Sequence, residues 1–143
     1  RVLLLALLII RNEELVLKED YVAQLMQAIT FHDIGRQNDD EDPKHGEYGA
    51  AIYKESHSDP VVEFLIQYHC IDDKKAKKAL ESDTRIEDKE KALLLYNILK
   101  DADALDRVRF GLRDLDVRYL RIPISKKLVL TADQCVRQIT DGE

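Results

Sequence analysis

The sequence predicts an all-α fold, a compact single-domain helical bundle without β-strands. Glycine and proline are scarce, with 5 Gly and 3 Pro among 143 residues, which favours helices over turn-rich sandwiches and barrels. Apolar residues recur at helical spacing in most segments, and no segment alternates strongly enough to predict a strand. The content of 45% hydrophobic and 35% charged residues argues against disorder. The length suits one domain with a sizeable core, which we expect over residues 1–143.

Two helices are predicted in the first quarter of the chain. Residues 1–12 are apolar on every side of a helix, so we expect this helix at the centre of the fold. Residues 18–32 form the second helix, with His32 on its apolar face. Gly35 is expected to end this helix in the left-handed conformation, before a polar loop over residues 37–41.

Two Asp-Pro pairs, Asp42-Pro43 and Asp59-Pro60, predict further helix starts. Aspartate is a favourable cap, and proline suits the first helical position. We expect these helices to reach about Lys54 and Cys70. The highly charged residues 74–90 predict a solvated loop with a short helix.

The last part of the chain begins with a long helix over residues 88–108, which Gly111 ends. Residues 117–124 alternate weakly and contain Pro123, so this segment is predicted to be extended or irregular. Residues 131–139 are predicted to form a short amphipathic helix.

Charge and cysteine content exclude several classes of protein. The net charge of −6 disfavours a uniformly basic surface for long nucleic acid and disfavours binding to an anionic membrane. Cys70 and Cys135 show neither metal-type spacing nor a disulfide framework, which indicates reduced thiols in a cytoplasmic protein. The apolar run over residues 2–10 is too short to span a bilayer and lacks a signal-peptide cleavage site.

The adjacent pair His32-Asp33 is the first candidate metal site. Imidazole and carboxylate ligands suit Mn, Fe, Zn, Co or Mg. Neighbours on a regular helix point about 100° apart, so these two can share an ion only where the helix ends. His69 and Asp101 also lie on apolar helical stripes.

A buried carboxylate needs a cation or a dense shell of hydrogen bonds, and one metal ion would satisfy all these groups. The alternative for each histidine is a hydrogen-bonded core residue. The alternative for Asp101 is pairing with an arginine, and Arg107 and Arg109 are near in sequence.

His45 lies at the start of a segment rich in small residues. Gly46, Gly49 and Ala50 recur at helical spacing and permit close approach of either another helix or a ligand. Both interpretations stay open. His57, in a polar turn, is expected at the surface.

These residues together resemble the HD-domain superfamily of metal-dependent phosphohydrolases, from residue 1 to about residue 110. His32-Asp33 matches the His-Asp pair of that family, in a His-Asp-Ile-Gly-Arg context, and Asp101 matches its distal aspartate. His45 and His69 match the optional histidines of the members that hold two metals.

The first histidine of the family usually precedes an Arg-Val pair. Arg1-Val2 opens this chain, so we expect that histidine just upstream, in a segment that is either truncated or disordered.

The resemblance implies an HD-domain-like fold and hydrolysis of a phosphate ester of a nucleotide or another small phosphorylated metabolite by a metal-activated water. It implies one or two divalent ions per chain, from Mn, Fe, Zn, Ni, Co or Mg. His32, Asp33 and Asp101 would hold the first ion. Asp33 would bridge to a second ion held by His45 and His69.

Arg36 and Asp33 are the expected catalytic residues. The guanidinium of Arg36 suits phosphate oxygens, and Lys100 is a second candidate for binding the substrate. The alternative for Arg36 is a surface salt bridge to Asp39 or Asp40.

Two other functions stay open. One is a two-iron oxygenase of HD-like fold, which requires both His45 and His69 as ligands. The other is a regulatory module that binds nucleotide without turnover. The expected partner in the cytoplasm is a small phosphorylated substrate, with no membrane and no long nucleic acid, and a homo-oligomer is compatible with the sequence.

Overall fold

The computed structural model describes residues 1–38 and 42–140. These residues form eight α-helices and three short 3-10 helices, and no strand occurs among them, so the all-α prediction is confirmed. The α-helices are α1 (Val2–Asn12), α2 (Glu19–Phe31), α3 (His45–Lys54), α4 (Pro60–Tyr68), α5 (Asp73–Ser82), α6 (Lys89–Asp106), α7 (Pro123–Lys127) and α8 (Val129–Thr140). The 3-10 helices are Arg107–Phe110, Leu112–Asp114 and Val117–Tyr119. Within the described ranges, no helix combines the length and apolar character that crossing a membrane requires.

The chain divides into two compact units. One consists of residues 1–16 and 97–143, and the other of residues 17–96. The single-domain organisation expected from the length stays a prediction.

The core of the 17–96 unit is built around α4, which packs against α2 and α3. Val62, Phe64, Leu65 and Ile66 are all buried. The helix starts where the Asp59-Pro60 pair predicts, because the Asp59 carboxylate accepts from the backbone N–H groups two and three residues on, at 2.9 and 3.2 Å.

Two helix predictions in this unit need correction. Helix α3 begins at His45 rather than at Pro43, because Asp42 caps a preceding turn by accepting from the Lys44 N–H at 3.1 Å. Helix α5 is the short helix expected within residues 74–90, but it begins at Asp73 and occupies ten residues. Asp72 caps it, and two apolar residues four apart give it a buried stripe despite the surrounding charge.

The prediction that Gly35 adopts the left-handed conformation is wrong. Helix α2 does end nearby, at Phe31, but among the described residues positive φ occurs only at Gly111 and Glu14. A Cβ at Gly35 would instead lie closer than 3.0 Å to backbone atoms of α3. Glycine is needed there for close approach of two backbones. Residues 39–41 of the predicted loop lie outside the described residues.

The 1–16 and 97–143 unit contains the other helices. Helix α1 forms as predicted, but the expectation of a centrally buried helix is wrong, because Leu4 and Leu7 are 40% and 45% exposed. Helix α1 packs against α7, and α8 packs against the first 3-10 helix. Gly111 breaks the chain after α6 with a φ of 134°, as expected. The segment 117–124 contains a 3-10 turn, and Pro123 opens α7.

Candidate metal centre

Three histidine side chains gather around one carboxylate in the 17–96 unit. The Asp33 oxygens lie 3.4 Å from Nε2 of His32, 3.3 Å from Nε2 of His45 and 3.7 Å from Nε2 of His69. The Nε2 atoms of His45 and His69 are 2.8 Å apart. The three histidines are buried, whereas the Asp33 side chain is 45% exposed. The cluster is therefore a mostly buried pocket of ligand-type atoms with one carboxylate at its open side.

The ends of three helices bring these side chains together. His32 directly follows the last residue of α2, and His69 directly follows the last residue of α4. His45 is the first residue of α3. The chain turns at such ends, so residues adjacent in sequence can point to one place, as Asp33 and His32 do.

Close packing of α3 on α4 places His45 beside His69. A Cβ at Gly46 would lie 2.6 Å from the carbonyl oxygen of Gln67, and one at Gly49 would lie 3.1 Å from a methyl group of Ile66. Of the two interpretations of these glycines, the structure shows the helix crossing. The crossing in turn positions the first residue of α3 at the cluster.

Each histidine of the cluster contacts the carbonyl oxygen three residues before it. Nδ1 of His32 lies 2.6 Å from the Ile29 oxygen, and Nδ1 of His69 lies 2.7 Å from the Ile66 oxygen. His45 makes the same contact with Asp42. A carbonyl oxygen only accepts, so Nδ1 donates its proton in all three. This tautomer presents Nε2 to the cluster, as second-shell hydrogen bonds orient histidine ligands in metal sites.

The electrostatics of the cluster call for a positive charge. Burial raises the pKa of Asp33, but contact with His69 and the nearby His32 and Arg36 outweigh this and hold the pKa well below its usual value. Burial lowers the pKa of His45, which therefore favours the neutral imidazole. If both rings are neutral with the proton on Nδ1, neither Nε2 can donate to the other across 2.8 Å. Either an additional proton or a metal ion must balance these lone pairs, so the residues present fit a divalent cation.

Cys70 is the ligand-type residue that the sequence reasoning missed. Its Sγ and one ring nitrogen each of His45 and His69 all lie within 4.8 Å of one another. Cys70 and Cys135 form no disulfide, as expected, but spacing between cysteines was the wrong signal to search. A better signal is that Cys70 follows His69 at a helix end, as Asp33 follows His32.

Asp101 belongs to the other unit, where it is completely buried. Its carboxylate accepts from the backbone N–H groups of Arg121 at 2.9 Å and Ile122 at 2.8 Å, and from the Arg121 guanidinium at 3.2 Å. Asp101 thus pairs with an arginine, but the partner is Arg121. Arg109, which was considered from the sequence, pairs with Asp106 instead. The assignment of Asp101 as a metal ligand stays a prediction.

The remaining candidates occupy the surroundings of the cluster. Arg36 pairs with Asp33 through Nε at 3.3 Å, and its alternative partners Asp39 and Asp40 lie outside the described residues. Lys100 is partly buried, and its role stays a prediction. His57 is exposed and stacks on the ring of Tyr53, with centroids 4.6 Å apart, as expected for a surface residue.

The family model described as HD domain matches residues 1–108, which include every histidine and aspartate discussed above. Comparison with curated proteins and with solved structures gave no match.

Proposed function

Because the chain belongs to the HD domain family of metal-dependent hydrolases, we propose that it hydrolyses a phosphate ester of a nucleotide or another small phosphorylated metabolite. One observation carries the proposal. The Nε2 atoms of His45 and His69 lie 2.8 Å apart and within 3.7 Å of an ionised carboxylate, an arrangement that suits a bound cation.

The residues divide into two proposed sets of ligands. His32 and Asp33 would hold one ion, and His45 and His69 would hold a second. The part of Asp101 as a ligand stays a prediction. A bound divalent ion lowers the pKa of its water to about 7 and polarises a phosphoryl oxygen, which is the chemistry that ester hydrolysis needs.

The protein groups orient the substrate in this proposal. Arg36 keeps one edge of its guanidinium on Asp33, and its side chain is about one third exposed. The remaining N–H groups can donate to phosphate oxygens as a planar fork. Asp33 stays ionised at neutral pH because its pKa is low, so its carboxylate accepts and does not compete as a donor. Lys100 is the second proposed phosphate contact.

The test combines metal content with turnover. The full chain is loaded with Mn, Zn or Fe, dialysed and measured by mass spectrometry, and hydrolysis of p-nitrophenyl phosphate and of nucleoside monophosphates is then followed. His69→Ala should lower metal affinity and turnover by at least about 100-fold, since even outer-shell partners are worth about 10–100-fold. His57→Ala is the matched control, because His57 is exposed. Equal activity of the two variants would contradict the proposal.

A two-iron oxygenase is the second candidate. It requires both His45 and His69 near a bridging carboxylate, and both lie within 3.7 Å of Asp33. Two iron ions per chain without phosphate-ester hydrolysis would favour it. A metal-loaded chain that binds nucleotide without turnover would instead favour the regulatory module.

A further inference from the structure

A sulfur atom lies next to the two most buried histidines of the cluster. Sγ of Cys70 and one ring nitrogen each of His45 and His69 lie within 4.8 Å of one another. These two side chains are 95% or more buried, and each already uses Nδ1 on a backbone carbonyl. Their Nε2 atoms lie 2.8 Å apart, and both lie within 3.7 Å of a carboxylate oxygen of Asp33. Two buried imidazole nitrogens this close together beside a carboxylate form a set of metal-ligand atoms, independently of the cysteine.

The backbone holds Cys70 at this place from two sides. It is the second residue after α4, directly after His69. Its Sγ lies 3.7 Å from the carbonyl oxygen of Pro43, in the turn that leads into α3. A Cβ at Gly46 would come within 3.0 Å of the same sulfur. The thiol thus lies between the end of α4 and the start of α3, where the two histidines meet.

We propose that Cys70 is a metal ligand, and that His45, His69 and Cys70 form a sulfur-containing subsite that prefers Zn or Co to Mn or Mg. This inference rests on the proposed metal-dependent function and names the metal class of its second position. Thiolate ligands favour the softer ions, whereas carboxylate and water ligands suit Mg and Mn. On coordination the thiol loses its proton to solvent, because the thiolate is the ligand form. Cys70 would then be a ligand that directly follows the ligand His69, as Asp33 directly follows His32.

Cobalt provides a readout independent of activity. The metal-free full chain is titrated with Co, and the near-ultraviolet charge-transfer band that sulfur-to-cobalt ligation produces is recorded. We expect the band in the wild type and in Cys135→Ser, the matched control in α8, and its loss in Cys70→Ser. A wild type that binds Co without the band, or a band that persists in Cys70→Ser, overturns the inference.

Selectivity provides the second measurement. Cys70→Ser should weaken Zn binding by at least about tenfold relative to the wild type while Mn binding changes little, so the preference for Zn falls. The rate of thiol alkylation can be measured on the wild type itself. Zn should slow the alkylation of Cys70 and leave the alkylation rate of Cys135 unchanged. Unchanged selectivity or unprotected Cys70 in a chain that still binds metal and turns over substrate overturns only this inference. A chain that binds none of these metals overturns the proposed function as well.

Discussion

Replacing Gly46 with alanine tests whether the helix crossing sets the geometry of the candidate metal centre. The added Cβ would lie 2.6 Å from the Gln67 oxygen and 2.8 Å from the Ile66 oxygen. Ordinary contacts of this kind begin near 3.4 Å, so α3 and α4 must separate by about 0.8 Å at this point. Both obstacles are backbone atoms, which cannot rotate away as a side chain can.

Separating α3 from α4 should lower both the stability of the folded chain and its affinity for Zn. Overpacking costs about 1–3 kcal/mol, partly offset by up to about 1 kcal/mol from the better helix propensity of alanine. A net loss of about 1–2 kcal/mol lowers Tm by roughly 3–8 °C for a chain of this size. His45 moves away from His69 with the start of α3. Ligand distances tolerate only about 0.2 Å, so Zn affinity should fall by at least about tenfold.

The assay is thermal unfolding of the metal-free chain together with competitive Zn titration of the folded chain. Gly49→Ala is the matched control. Its Cβ would meet only a side-chain methyl at 3.1 Å, with backbone oxygens of α2 and its end at 3.4 and 3.5 Å, so it should keep wild-type affinity and equal or greater stability. The reasoning is refuted if Gly46→Ala retains wild-type Tm and Zn affinity, or if Gly49→Ala loses as much as Gly46→Ala.

Three further results are expected. Asp59→Ala should destabilise the chain by about 1 kcal/mol in urea unfolding, because two N–H groups of α4 lose their cap; an unchanged midpoint would contradict the capping role. Asp101→Ala should abolish turnover while the circular dichroism spectrum stays helical. It should lower the free energy of unfolding by about 1–3 kcal/mol, because backbone N–H groups at Arg121 and Ile122 lose their acceptor. Retained turnover would show that Asp101 is not part of the site. The free energy of unfolding of the metal-free chain should fall as pH drops through about 6.5. Burial lowers the pKa of His45 in the folded chain, so the unfolded chain takes up the proton first. His45→Gln should flatten this pH dependence, and an equally steep profile in the variant would argue against a neutral His45.

Sequence patterns located the helices because their causes are local. The Asp59-Pro60 pair produced a capped start at the predicted residue, and Gly111 produced the predicted break. The charged segment that became α5 was underestimated because Ala76 and Leu80 alone bury its inner stripe. In a highly charged stretch, such a short stripe is a weak signal. The one-sided burial of α1 was missed because apolar residues can also stay at a surface.

The sequence by itself determined that the chain is helical, that it belongs to the HD domain family, and that His32-Asp33 follows the end of a helix. These properties depend on the period of the hydrophobic residues, on helix-capping residues and on residues adjacent in sequence. Tertiary structure alone decided that Gly35 and Gly46 serve close backbone approach, that His45 meets His69, and that a cysteine lies beside them. These distances join segments from ten to more than twenty residues apart in sequence, and they depend on how helices pack rather than on any local preference.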